Sequence, residues 1–188
     1  MEVKHISFSY GNEPVIKDLS FSLPAGRHIA VMGGSGSGKT TLLRLLLGFI
    51  EPTAGSIERG EDEKSPAVVF QEDRLLPWYT ALKNVQTVCS SPGEAESILA
   101  DMELADSMDK LPKELSGGMQ RRTAIARALA FGGKPLLLDE PFKGLDPDMR
   151  ERIAGKVLER AKDSAILLIT HDEREARLLG CEETIRLS

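Results

Sequence analysis

Gly33 to Thr41 reads GGSGSGKTT, and Gly33, Gly38, Lys39 and Thr40 fit the pattern glycine, any four residues, glycine, lysine, serine or threonine. This is a phosphate-binding loop. A triphosphate has to be wrapped at close range by backbone NH groups, and side chains at the glycine positions would block that approach. The candidate nucleotide-binding residues are therefore Gly33, Gly34, Ser35, Gly36, Ser37, Gly38, Lys39, Thr40 and Thr41. The NH groups point at the β-phosphate from the first turn of a helix expected over TTLLRLLLGF, where the helix dipole adds about 0.3 to 1 kcal/mol per favourable charge. Lys39 reaches the β- and γ-phosphates as a point charge, and the Thr40 hydroxyl ligates Mg²⁺. The flanks decide the reading. HIAVMG before the loop is a short apolar strand and LLRLLL after it an apolar helix, the strand, loop, helix order that the motif requires.

The 188 residues suffice for one substantial domain, and 41% hydrophobic with 28% charged residues describes an ordinary soluble globular protein. No apolar run approaches the roughly 20 residues needed to span a bilayer, and MEVKHISFSY is no signal peptide. A membrane role is thus expected only through a partner. The formal net charge of -5 gives no reason to expect nucleic-acid binding. Cys89 and Cys181 lack metal or redox spacing and read as thiols of a reducing cytoplasm. His5 and His28 read as solvated or hydrogen-bonded strand residues.

Upstream of the loop, Ile6, Phe8 and Tyr10, then Leu19, Phe21 and Leu23, alternate around the turn signal Gly11-Asn12, which predicts an antiparallel hairpin with one buried side. Downstream, EPTAGSIERGEDEKSP is polar and turn-rich, and is expected as a short surface excursion of one hairpin. AVVFQ is a strand that brings Gln71 to a strand end, as a water or metal ligand sensing the γ-phosphate. Residues from 75 onward become amphipathic and helical, with TALKNVQTV and GEAESILADMEL separated by a break at Ser91-Pro92-Gly93. Trp78 reads as a packing residue of this helical part. Ser116-Gly117-Gly118 opens the helix MQRRTAIARALAF and supplies a second anion-ready helix N-terminus. Arg121, Arg122 and Arg127 on that helix read as a solvated face.

LLLDEP is a continuous aliphatic run, the pattern of a parallel strand buried on both faces. Asp139 at its C-terminal end is placed to hold Mg²⁺, and Glu140 to deprotonate an attacking water. AILLIT is the next buried strand and carries His171 to the same sheet edge, facing the γ-phosphate. A short helix over EREARLLG and a closing strand over ETIRL follow.

LSGGMQ, Leu115 to Gln120, with the ordered series Tyr10, phosphate loop, Gln71, LLLDEP, Asp146 and His171, resembles the ATP-binding subunit of ABC transporters over essentially the whole chain. The resemblance implies an α/β fold: a P-loop NTPase core with a mainly parallel sheet, an N-terminal antiparallel β subdomain and a helical subdomain inserted at about 75–130, all in one ABC ATPase domain, 1–188. It implies ATP and Mg²⁺ as cofactors, Tyr10 stacking on adenine, and Thr40, Gln71 and Asp139 at the metal. Glu140, His171, Gln71 and Lys39 are implied to be catalytic. Two copies are implied to pack head to tail, so that Ser116, Gly117, Gly118 and Asp146 of one meet the nucleotide held by the other. The implied partners are transmembrane permease subunits, to which Gln71 couples the nucleotide through the helical subdomain, and indirectly an extracytoplasmic solute-binding protein. The implied location is cytoplasmic, peripheral on the inner face of the membrane. QEDRLLPW and ITHDEREA further resemble importers of the nitrate, taurine and aliphatic sulfonate group. A soluble ABC ATPase of iron-sulfur assembly is the alternative, while LSGGM argues against a kinase or GTPase. The chain departs from the family in a short interval from Lys39 to Gln71, in Lys143-Gly144 where a Ser-Ala type pair is common, and in stopping soon after His171, which suggests a minimal subunit.

Overall fold

The computed structural model describes residues 1–60, 65–89 and 91–188. Strand β1 (Glu2–Tyr10) turns at Gly11 into β2 (Glu13–Ser22), and β3 (His28–Gly33) runs into the glycine loop and α1 (Lys39–Leu46). After β4 (Ala54–Glu58) and β5 (Ala67–Val69) come the helices α2 (Ala81–Gln86), α3 (Pro92–Asp101) and α4 (Gly117–Phe131). The chain then alternates β6 (Leu136–Asp139), α5 (Pro147–Arg160), β7 (Ile166–Ile169), α6 (Glu173–Leu178) and β8 (Glu183–Leu187).

Two sheets result. The first is antiparallel, in the order β2-β1-β4; the second is parallel throughout, in the order β5-β6-β7-β3-β8. Side chains of the parallel strands alternate between two cores. Ile29, Val31, Leu137, Leu167 and Ile169 face α1 and the antiparallel sheet, while Ala30, Met32, Leu136, Leu138, Ile166 and Leu168 face α4 and α5. Burial on both faces is why these strands are uninterrupted aliphatic runs. An eight-residue helix such as α1 would not persist alone in water. It is held by Leu42, Leu43, Leu45 and Leu46, all buried, and removing one such leucine costs about 2 to 5 kcal/mol.

The described part of the polar segment after α1 is not a surface hairpin. It forms β4, the third strand of the antiparallel sheet, with Val3 opposite Ile57 and Lys4 opposite Ser56. Gly55, which reads as a turn residue, sits at φ 81, and a Cβ there would come within 2.3 Å of the Lys4 and His5 carbonyl oxygens. It is a close-approach glycine inside a sheet. The rest of that expected excursion, at 61–64, lies outside the described residues.

Candidate functional site

The strands at the centre of the parallel sheet end level with one another: Val31 and Asp139 both pair with Ile169. That register carries the glycine loop, Asp139-Glu140 and His171 to the same edge, where Tyr10, Lys39, Thr40, Thr41 and Gln71 join them around an open cleft of about 590 Å³. Ligands of open α/β sheets bind at this carboxyl edge.

The glycines of the loop have separate reasons to be glycine. Gly36 and Gly38 adopt φ 81 and 93, disfavoured for residues with a Cβ. A Cβ on Gly33 would lie 2.3 Å from Ser37 Oγ, and one on Gly38 2.8 Å from Val15. At Gly34 and Gly36 it would meet nothing within 4 Å; both residues line the cleft, so that side of the cradle is open to a phosphate. Gly38 is the N-cap of α1 and no side chain caps that helix, so the orphan NH groups of the first turn remain available to an anion. Lys39 Nζ donates to Gly33 O and Gly34 O, both at 2.7 Å. Ser37 is set apart from the others, with its Oγ buried and without a partner.

At the mouth, Tyr10 is 46% exposed and packs edge-on against Phe8. Hydrogen bonds with Thr41 and then Arg44 hold its phenol below the usual range. Asp139 is buried, and burial followed by the neighbouring Glu140 pushes its carboxyl above the ordinary value, against the pull of Lys39, Arg121 and a backbone hydrogen bond from Gln71. A desolvated carboxylate crowded by a second one suits a divalent cation. Thr40, Gln71 and Asp139 offer only oxygen donors on the cation side. Oxygen donors of this kind suit Mg²⁺, an ion that keeps waters and substrate phosphates in its shell.

Glu140 adopts φ 49, a left-handed conformation costly for a non-glycine residue. Its NH donates to Ile169 O at 2.9 Å and its carbonyl accepts from Lys143 N. The strained turn delivers its side chain to His171, whose Nδ1 lies 2.8 Å from Glu140 Oε1. The hydrogen bond and charge of Glu140 raise the His171 imidazole above its ordinary range.

Ser116, Gly117, Gly118 and Asp146 are not part of this cleft. They line a second one, of about 610 Å³, together with Lys143 and Gly144. Gln71 borders both. Ser116 and Asp146 are N-caps: Ser116 Oγ accepts from Met119 N at the start of α4, and Asp146 Oδ1 from Met149 N at the start of α5.

Two sequence expectations are overturned. Arg121, Arg122 and Arg127 are not a solvated face. Arg121 and Arg122 are 5% and 8% exposed, and all three point inward to main-chain carbonyls: Arg121 to Phe70 and Gln71, Arg122 to Met102 and Glu103, Arg127 to Asp73 and Arg74. Irregular backbone beside α4 needs buried donors, and guanidinium forks supply them. Trp78 does not pack; it is 80% exposed. Asn84, fully buried, holds its segment by bonding Leu76, Tyr79 and Thr80 through their main chains, which leaves Leu76, Trp78 and Tyr79 outward. Arg121 is the functional residue that sequence reasoning missed, because it fastens the Gln71 segment to α4. No periodicity or motif distinguishes it from Arg122.

Comparison with known proteins identifies the family and the fold. A family model described as ABC transporter matches residues 16–143. The bicarbonate transport ATP-binding protein CmpD of Synechocystis sp. is 42% identical over 187 residues, covering 90% of this chain and 66% of its own length. The aliphatic sulfonates import ATP-binding protein SsuB 3 of Paraburkholderia xenovorans is 42% identical over 186 residues, covering 96% of this chain and 74% of its own. The chain thus spans about two thirds to three quarters of these relatives. Among solved structures, the ATP-binding cassette MJ0796, in a dimeric post-hydrolysis state bound to ADP and Pi, superposes with a TM-score of 0.84 at 29% identity, covering 100% of this chain and 94% of that one.

Proposed function

The chain belongs to the ABC transporter family of ATP-binding subunits, ATPases that use ATP with Mg²⁺, and from that premise we propose that it hydrolyses ATP to drive solute uptake through a membrane permease. One observation carries the reading: a single chain lines two separate clefts with helix N-termini, and the glycine loop, Lys39 on an uncapped helix, Thr40 and Asp139 all belong to the first while the Ser116-Gly117-Gly118 turn belongs to the second. Two copies packed head to tail would bring Ser116, Gly117 and Gly118 of one onto the nucleotide held by the other. The dimeric MJ0796 cassette supports that arrangement. ATP favours the closed pair because the γ-phosphate touches both copies only there, and hydrolysis removes that differential contact.

Within each site, Lys39 and the NH groups of the loop hold the phosphates, and Tyr10 offers its ring to the base. Thr40, Gln71 and Asp139 would hold Mg²⁺, which supplies charge neutralisation on the phosphate oxygens. Glu140 takes the proton of the attacking water, and His171, bonded to it, meets the γ-phosphate. Among the described residues no helix is long and apolar enough to cross a membrane, so attachment to the inner face runs through the permease. Leu76, Trp78 and Tyr79, exposed on the segment that starts at Gln71, suit that docking. The names of the bicarbonate and sulfonate relatives favour uptake of a small anion over a soluble iron-sulfur assembly role; a solute-binding protein on the far side of the membrane would deliver it.

Glu140→Gln keeps the side-chain shape and removes the base. It is expected to bind ATP, to lower turnover by about 10² to 10⁴-fold, and to elute as a dimer with ATP and Mg²⁺. Elution as a monomer, like Lys39→Ala, would remove the support for paired sites.

A further inference from the structure

His171 is 78% exposed in its side chain and meets the protein through Glu140, so its placement depends on the backbone on either side of it. Both neighbours are clamped. Thr170, fully buried, donates its hydroxyl to Glu175 Oε2 at 2.6 Å and accepts Asp172 N at 3.1 Å. Asp172 caps α6 through Arg174 N and receives Arg150 at 2.7 Å. The same Arg150 nitrogen lies 3.5 Å from Glu175 Oε1, and Glu175 is only 4% exposed. Arg150 belongs to the first turn of α5, where its NH donates to the carbonyl of Asp146, the N-cap on the second cleft. Arg150 and Glu175 also line a pocket together with Glu140, His171 and Gly144.

We propose that Arg150, Glu175 and Thr170 are positioning residues that fix His171 and tie it to the turn at Asp146, so that contact made at the second cleft is passed to the histidine of the first. This rests on the ATPase reading above. A carboxylate buried as deeply as Glu175 is costly unless paired and hydrogen-bonded, and Thr170 and Arg150 are its partners. Any shift of α5 at Asp146 moves Arg150 and must be followed by Asp172 or break the pair. Burial pushes the Glu175 carboxyl above its ordinary range, while Thr170 and Arg150 oppose that push.

The chain has three histidines, so the imidazole proton resonances can be titrated by NMR without nucleotide. In Arg150→Met, loss of a nearby cation would by charge alone raise the His171 pKa. If Arg150 positions the histidine, the bond to Glu140 weakens instead, and the pKa falls toward about 6.5. Turnover is expected to fall about 10- to 100-fold with KM for ATP within about twofold, and Arg150→Lys should partly restore both readouts. Thr170→Val removes the hydroxyl with no change of charge and should act in the same direction; it carries the test if Arg150→Met does not fold. A His171 titration that is unchanged or raised in the folded variant, or turnover within about twofold of the parent, overturns the clamp. A parent chain that does not hydrolyse ATP would sink the enzyme reading instead, and the titration alone would then decide the clamp.

Discussion

Helices α1 and α4 both begin at a glycine-bearing turn on the wall of a cleft, yet they present different groups to it. The α1 terminus has a left-handed glycine as its N-cap, no side-chain cap, and Lys39 as its first residue. The α4 terminus caps itself: Ser116 Oγ takes the Met119 NH, and Arg121 and Arg122, which line the second cleft, donate to main-chain carbonyls. On the proposed reading, the first terminus holds an anion by itself and the second adds donors to an anion already held. On the proposed head-to-tail reading, a second copy lets the chain use both.

The largest expected effect that tests this contrast is Lys39→Ala. Loss of a charge-assisted contact of about 1.5 to 3 kcal/mol should weaken ATP binding about 10- to 100-fold in isothermal titration and abolish turnover. Unweakened binding would mean that the two termini are equivalent. Next comes Arg122→Met, which leaves the Met102 and Glu103 carbonyls without their partner at a cost of about 1 to 3 kcal/mol. The melting temperature should fall by about 2 to 4 °C per kcal/mol, with monomer affinity for ATP unchanged; an affinity loss without a stability loss would mean that Arg122 acts on the nucleotide rather than on the backbone. Ser116→Ala removes an N-cap worth about 0.5 to 2 kcal/mol and should weaken ATP-induced dimerisation in sedimentation velocity, again sparing monomer affinity. The smallest effect is a pH dependence confined to the first cleft. Because Glu140 raises the His171 pKa in the folded state, the stabilisation from that pair is complete below about pH 6.5 and is lost as the pH rises through the folded value. In Glu140→Gln, chemical denaturation across that window should lose this slope.

Much of this was legible from local pattern. The strand before the loop, the loop itself, α1, LLLDEP and the strand before His171 all declare themselves through apolar runs and glycine spacing, since burial on both sheet faces writes an unbroken aliphatic signal. What escaped lacks such a signal. The β4 strand is polar and carries Gly55, because an edge strand packed against another backbone needs little hydrophobicity and no side chain at that point. Asn84 and Arg121 satisfy main-chain groups that are distant in sequence, 8 residues and about 50 residues away, and no local pattern records where a loop will leave its carbonyls unpaired.

The chemistry at the sheet edge was determined by the sequence alone: a lysine and a threonine after a glycine loop, a carboxylate pair after one strand, a histidine after another. Which of these meet was decided only by tertiary structure. Parallel register brings Asp139 level with Val31 and Ile169 and so gathers the first cleft, whereas Ser116 to Gly118 and Asp146, equally prominent in sequence, fall in a second. A motif specifies donors and charges through residue type, but the direction in which they point follows from how strands pair and which face of a helix the core has claimed.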